Sequence, residues 1–423
     1  MSESSEHIVI VGAGAAGLMA ARELARAGRR VTILEARERC GGRIHPLPGL
    51  QFGYPADGGA EFVHGEAPVT RALLREAGLF LQEIEGTQWS FDGTSLSRED
   101  RHDPHEAELQ AALRDLKNDL TVADFLRRHF AGEDYARLRH SIERMVEGYD
   151  AADPERASTL ALREEWMDGG HAPQARINGG YAALIDFLAA ECRACGVAIR
   201  LGCAALAIVE EGGAVAIRCA GGDGLVCDRA ILTVPLPLLR EIALPASVSA
   251  RLAAADDIGF GNVIKILLCF ARPWWRDRQD DLVDMTFLLS DEAIPVWWTR
   301  YPDQHPLLTG WFGGPRTAAL SHLDSKGLIE AGLDSLAAIF KRPREDIARD
   351  LVAAAASNWA HDRFARGAYS WATPRTREAQ AILARADGLV LLSGEALYRG
   401  RDMGTVEAAL TSGLETAGMI LRS

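Results

Sequence analysis

The chain has 423 residues, 48% of them hydrophobic and 25% charged, and a formal net charge of −13. Such a length buries a large core and suits two domains, while the acidic balance argues against a nucleic-acid partner, since phosphate binding needs a basic surface. The charge fits weakly with a cationic substrate and equally with simple solubility.

The opening MSESSEHIVIVGAG shows neither the basic nor the apolar region of a secretory signal. No run of about 18 apolar residues occurs, so no membrane span is expected. The seven cysteines are odd in number and scattered, reading as free thiols of a reducing cytosol; a cytoplasmic location is expected. Cys192 and Cys195 form a CxxC, but no second ligand pair or thioredoxin-like strand accompanies them. They read as helix residues, and no metal site is expected.

In chain order, HIVIV predicts a strand, GAGAAG a turn, the next residues a helix to about Ala27, and RVTILE a second strand. Gly12 permits a tight turn, Gly14 lets backbone approach a pyrophosphate, and Gly17 lets helix and strand pack closely. With Ala15 and Ala16 the helix start offers free N–H groups and a positive dipole end to phosphates. Glu35 ends the second strand, where it can accept hydrogen bonds from an adenosine ribose and disfavours a 2′-phosphate. The whole reads as a dinucleotide-binding unit.

Long helices are expected between about 67 and 150, then a loop, a helix from about Tyr181 and a strand by 201. Short strands crowd 204–234, with Gly-rich turns at GG and GGDG. GFGNVIKILLCF (259–270) predicts a strand covered on both faces, yet it holds Lys265. A buried ammonium costs several kcal/mol, so Lys265 either ends at the surface or points at a site. Strands at VWWTRY and LLTGWFGG follow, then helices from about 325 to 357, a strand in GLVLLSGEAL and a helix from about Thr405 to Leu421. That final pair looks like a return to the first unit.

The stretch EARERCGGRI after the second strand resembles the flavin-containing amine oxidase family, and the likeness covers nearly the whole chain. It implies FAD, with Ala36, Gly41 and Gly42 near the cofactor and Arg37 and Arg43 meeting its phosphates and nearby groups. Cys40 departs from the usual aliphatic residue, a mild change. ADGGAEFVHG (56–65) resembles the segment lining flavin and substrate, placing Gly59, Ala60 and Glu61 at the cofactor. His64 matches a histidine close to the bound amine in polyamine oxidases; taken alone it reads as a structural histidine. Glu61 could attract an ammonium or be solvated. RINGGY and DRAILTVPLPLL match further cofactor segments, and Ala205 the position reaching adenine.

GFGNVIKILLCF is similar to a stretch of histone-demethylating and polyamine-oxidising relatives, in which the matching lysine holds a water at flavin N5 and assists reaction with oxygen. NWAHDRFARGAYSWATP resembles the family's Gly-x-Tyr-Ser stretch. Tyr369 matches an aromatic beside the flavin face, while Trp371 reads as core. Ala368 stands where monoamine oxidases carry the flavin-linking cysteine, so FAD is expected to be non-covalent. In the C-terminal segment Gly394, Glu395, Thr405 and Val406 are expected at the cofactor, the helix start facing the flavin. Thr405 replaces a second cage tyrosine, as in the polyamine-oxidising branch.

The resemblance implies an α/β fold, a Rossmann-type FAD-binding domain (1–66, 177–255, 376–423) interleaved with an α+β substrate domain (67–176, 256–375) whose mixed sheet is flanked by helices. The implied reaction converts a primary or secondary amine, a polyamine by preference, to an imine, with O2 reduced to H2O2. The catalytic residues are expected to be Lys265, Tyr369 and His64. The cavity segment lacks the arginine that pairs with an amino-acid carboxylate, although Arg300 or Arg316 could supply one, which keeps an L-amino-acid oxidase as the alternative. A flavin desaturase or protoporphyrinogen-type oxidase and a non-catalytic FAD-binding redox sensor are readings of other classes. Nothing precedes the cofactor strand and no coiled coil interrupts the chain, so no chromatin partner is expected; a monomer or homodimer is.

Overall fold

The computed structural model describes residues 6–98, 103–167, 173–222, 224–277, 282–386 and 388–423. The first five residues of the opening stretch and Asp223 of the GGDG turn lie outside these ranges. Five parallel strands form one sheet in the order Ala198–Arg200, Arg30–Leu34, His7–Val11, Arg229–Leu232, Val390–Leu392. Their apolar runs follow from burial on both faces. On one face Ile8, Ile10, Ile33, Ile231 and Leu391 pack against helices Ala15–Arg26, Tyr181–Ala194 and Val406–Arg422. On the other, Val9, Val11 and Leu232 meet Ile208, Val215 and Ile217 of an antiparallel three-stranded sheet. Strands far apart in sequence thus complete one sheet, and the second unit is threaded between them.

That second unit is built on a seven-stranded mixed sheet: Leu351–Asn358, Val263–Phe270, Leu307–Gly313, Val296–Trp298, Met285–Leu289, Thr87–Phe91 and Leu96–Arg98. All eight residues of the Val263–Phe270 strand are buried, as its apolar run predicts. Helix Ser325–Phe340 covers Ile264, Ile266 and Leu268. A separate helical cluster around Leu113, Phe125, Ile142 and Val146 stands beside the sheet.

Two expectations change. The 67–150 stretch is not helical throughout, because Leu81–Glu83, Thr87–Phe91 and Leu96–Arg98 are strands. TQWSF, rich in β-formers, pairs in parallel with Met285–Leu289. The helices expected to 357 end at Arg349, and LVAAAASN (351–358) is a strand. Its alanines are strong helix formers, but local propensity yields to the buried backbone along one side of Val263–Phe270, which requires a partner; Ala353–Ala356 supply it, opposite Cys269–Ile266. Cys192 is an interior helix residue donating to the Leu18 carbonyl (3.3 Å), and Cys195 caps that helix. No helix among the described residues is long and apolar enough to cross a membrane.

Candidate active site

The three glycines of GAGAAG divide as their spacing predicts. Gly12 has φ +112°, and a Cβ there would lie 2.5 Å from Thr233 Oγ1. A Cβ on Gly17 would fall 2.0 Å from the Gly12 carbonyl oxygen, so close helix–strand packing forbids one. A Cβ on Gly14 would meet nothing within 4 Å, because that position opens on a large cavity. Ala15 and Ala16, at the start of the helix, line the same space. Glu35 accepts from the Ala13 N–H (2.8 Å) and the Arg37 N–H (2.8 Å), which pins its carboxylate at the strand end.

Ala36, Gly42, Gly59, Ala60, Ala205, Gly394, Thr405 and Val406 all line this cavity of about 1900 Å³. Thr405 caps the Val406–Arg422 helix, accepting from the Ala408 N–H at 3.1 Å. The first-turn N–H groups ahead of any intrahelical acceptor therefore lie at the cavity wall. Arg37 and Arg43 also line it, yet each is engaged by a carboxylate. Arg37 makes two bonds to Asp362 (2.6 and 3.0 Å), and Arg43 donates to Glu395 (2.7 Å) and the Ala368 carbonyl (2.8 Å). Glu395 is buried and also accepts from Ser370 Oγ. Sequence reasoning missed Arg39, whose guanidinium binds the carbonyls of Cys40, Gly42 and Ile44 and so braces the loop.

Lys265 is 1% exposed and lines the cavity. Its Nζ donates to the Gly59 carbonyl (3.0 Å) and Glu61 Oε2 (2.9 Å), and lies 5.6 Å from the Trp298 ring centre. Glu61 accepts in addition from Arg176 Nε (2.8 Å) and Trp298 Nε1 (3.1 Å), with Arg300 at 3.8 Å. Burial alone would raise the Glu61 carboxyl, but Lys265, Arg176 and Arg300 outweigh it and hold it at about 2. Buried and bonded to Lys265, Arg176 and Trp298, Glu61 is not solvated, which corrects that sequence reading of it. Nearby Asp57 is pushed up to about 7 by burial and by Glu61. Arg176, Trp298 and Asp57 were not singled out from sequence; they meet Glu61 only through the fold.

His64 follows on the Phe62–His64 strand. Its Nδ1 lies 3.0 Å from the Tyr149 hydroxyl, and burial lowers the imidazole to about 4, so it is neutral above that. Tyr369 donates to the Tyr149 carbonyl at 2.6 Å and stacks on Trp311, centroids 6.4 Å apart. Trp311 in turn meets Trp298 at 5.7 Å, and Phe62 and Phe287 complete an aromatic wall. Tyr149 and Trp311 are further residues that sequence reasoning did not place. Trp371 is buried in the helical cluster, as expected. Arg300 does not line the cavity but packs on Tyr54, and Arg316 pairs with Glu147 (3.5 Å).

One continuous cavity thus joins a dinucleotide cradle to an aromatic chamber with a buried ammonium in its wall. The open Gly14 position, the free helix starts and the pinned Glu35 fit a dinucleotide cofactor. Residues 15–421 match the family described as flavin containing amine oxidoreductase, and the chain belongs to it; FAD is its cofactor.

Polyamine oxidase 2 of Arabidopsis thaliana is 28% identical over 308 residues, 65% of this chain and 61% of that one. Lysine-specific histone demethylase 2 of Homo sapiens is 26% identical over 98% of this chain and 53% of its own. The chain therefore spans just over half to about three fifths of these relatives' lengths. Among solved structures, putrescine oxidase bound to putrescine superposes with TM-score 0.82 at 20% identity, covering 99% of both chains. Cyclohexylamine oxidase from Brevibacterium oxydans IH-35A gives TM-score 0.80 at 20% identity over 99% of both. These likenesses establish the Rossmann-type domain interleaved with an α+β domain.

Proposed function

We propose that the chain is an FAD-dependent amine oxidase that converts a primary or secondary amine to an imine, with O2 reduced to H2O2 and the imine hydrolysed to aldehyde plus amine. The observation that carries this reading is the buried Lys265 ammonium placed in one cavity with the dinucleotide cradle and the aromatic chamber. When bound, FAD supplies the acceptor for a hydride equivalent from the amine α-carbon. Gly12, Gly14, Ala15, Ala16, Gly17 and Glu35 hold its adenosine and pyrophosphate, with the helix start at Thr405 and Val406 at the far end. The cofactor is non-covalent, since Ala368 offers no thiol. The FAD-binding domain comprises 1–66, 177–255 and 376–423, and the substrate domain 67–176 and 256–375.

Tyr369 and Trp311 present ring faces that orient a neutral amine. His64, uncharged, offers a hydrogen bond without adding a competing positive charge. Lys265 offers a fixed cation where negative charge develops on oxygen. A polyamine is the favoured substrate, because Glu66 and Asp402 line the cavity as carboxylates for a second ammonium. Neither Arg300 nor Arg316, the two arginines considered for an α-amino-acid carboxylate, lines the cavity, and an L-amino-acid oxidase stays the second reading through other arginines that do, such as Arg137. The chain acts in the cytoplasm as a monomer or homodimer. Anaerobic flavin bleaching against spermine, spermidine, their acetylated forms, putrescine, monoamines and amino acids tests the reading. Bleaching by amines supports it; silence with every amine, combined with turnover of a porphyrinogen, overturns it.

A further inference from the structure

The chain contains only four lysines, and Lys117, Lys326 and Lys341 are exposed while Lys265 is enclosed. Five charged groups surround its ammonium: Glu61 in contact, Asp57 close by, and Arg176 and Arg300 behind Glu61, with Asp303 beyond Arg300 at 3.7 Å. Tyr54 packs beneath Arg300 and, pushed up by burial, stays neutral. Four donor groups converge on Glu61: Lys265, Arg176, Trp298 and the more distant Arg300. A purely space-filling role would be served as well by an apolar side chain, since burying an ion pair gains little net stability. An ammonium has three N–H groups, and the Gly59 carbonyl and Glu61 take two, leaving the third for the cavity.

We propose that Glu61 is a positioning residue: with the Gly59 carbonyl it clamps the Lys265 ammonium, is itself held from behind by Arg176 and Trp298, and so fixes one permanently charged N–H toward the cavity. This rests on the oxygen-facing role assigned to Lys265 above. Glu61 keeps its charge down to about pH 2, so the clamp is intact throughout the assay range. Without that charge the Lys265 ammonium keeps only the Gly59 carbonyl as acceptor and faces two guanidiniums, so its direction toward the cavity is lost.

The test compares reoxidation of the reduced holoenzyme by oxygen in wild type, Glu61→Gln and Lys265→Met between about pH 7 and 10. Lys265→Met is expected to be slow at every pH. Glu61→Gln is expected to be about tenfold slower than wild type across that range. A second readout needs no turnover: amine-reactive labelling of the cofactor-free protein, read by peptide mass against Lys117, Lys326 and Lys341. Lys265 is expected to be protected in wild type and labelled in Glu61→Gln. A Glu61→Gln enzyme that follows wild type at every pH, beside a slow Lys265→Met, overturns the clamp. An unchanged Lys265→Met overturns instead the role given to the lysine. Should Glu61→Gln not fold, Glu61→Asp withdraws the charge by one carbon; partial slowing supports the clamp, and identity with wild type overturns it.

Discussion

Taking a lysine ammonium out of water costs several kcal/mol, and Lys265 recovers this through one carbonyl, one carboxylate and an indole face. Such an arrangement is retained where the charge is used. Lys265→Met is therefore expected to keep FAD bound but slow flavin reoxidation at least tenfold, measured by stopped flow. His64 behaves differently: burial holds it neutral above about pH 4, so it adds no ionisation near neutrality. The substrate amine is reactive in its unprotonated form, and His64 adds nothing to the slope. kcat/KM is expected to rise with pH between about 6 and 9, and His64→Ala to lower it without changing the slope. A flat wild-type profile would count against this assignment. Lys265 was legible because a charge inside an apolar run is an anomaly visible in one dimension. Arg176, Trp298 and Arg300 were not, because each lies in an ordinary strand or loop sequence and acquires its role only when three separate strands bring it to Glu61.

The glycine turn is the element whose sequence and structure agree most closely, since each glycine answers a local steric demand. Gly14→Ala adds a methyl to empty space and is expected to leave Tm within about 2 °C while weakening FAD binding about tenfold. Gly17→Ala drives the methyl to 2.0 Å from a carbonyl oxygen, so loss of folding is expected there. Thermal melts and flavin fluorescence titrations separate the two outcomes. Where sequence misled, the deciding contacts were remote. TQWSF is a short β-rich run inside a helical stretch and LVAAAASN leans to helix, and their strand state is fixed by Met285–Leu289 and Val263–Phe270. Helix Ala15–Arg26, the Tyr181 helix and the Val406 helix were readable because caps, glycines and period coincide.

Across the whole molecule, substrate preference depends on where charge remains uncompensated along the cavity. One wall is aromatic and Glu61 is ion-paired, whereas Glu66 and Asp402 also line the cavity. Burial together with Glu407 and Glu66 pushes Asp402 up, so these acids repel one another and welcome a cation. The double change Glu66→Gln with Asp402→Asn is expected to raise KM for putrescine or spermidine about tenfold and that of a monoamine less than about twofold. Equal effects on both would remove the polyamine preference while leaving the amine oxidase reading intact.

The Val406–Arg422 helix has a consequence in time as well as in space. Gly413 of that helix brings it against Ala16, a Cβ there falling 2.3 Å from the Ala16 carbonyl, while Glu407 accepts from Val69 and Thr70 at 2.9 and 2.8 Å. The strand just before it, Val390–Leu392, completes the first sheet. A ribosome adding about 5–20 residues per second thus exposes the glycine turn tens of seconds before its last wall emerges. During that interval the nascent chain must shield an apolar, half-built sheet, and the cofactor can lock in only once the Val406–Arg422 helix has emerged.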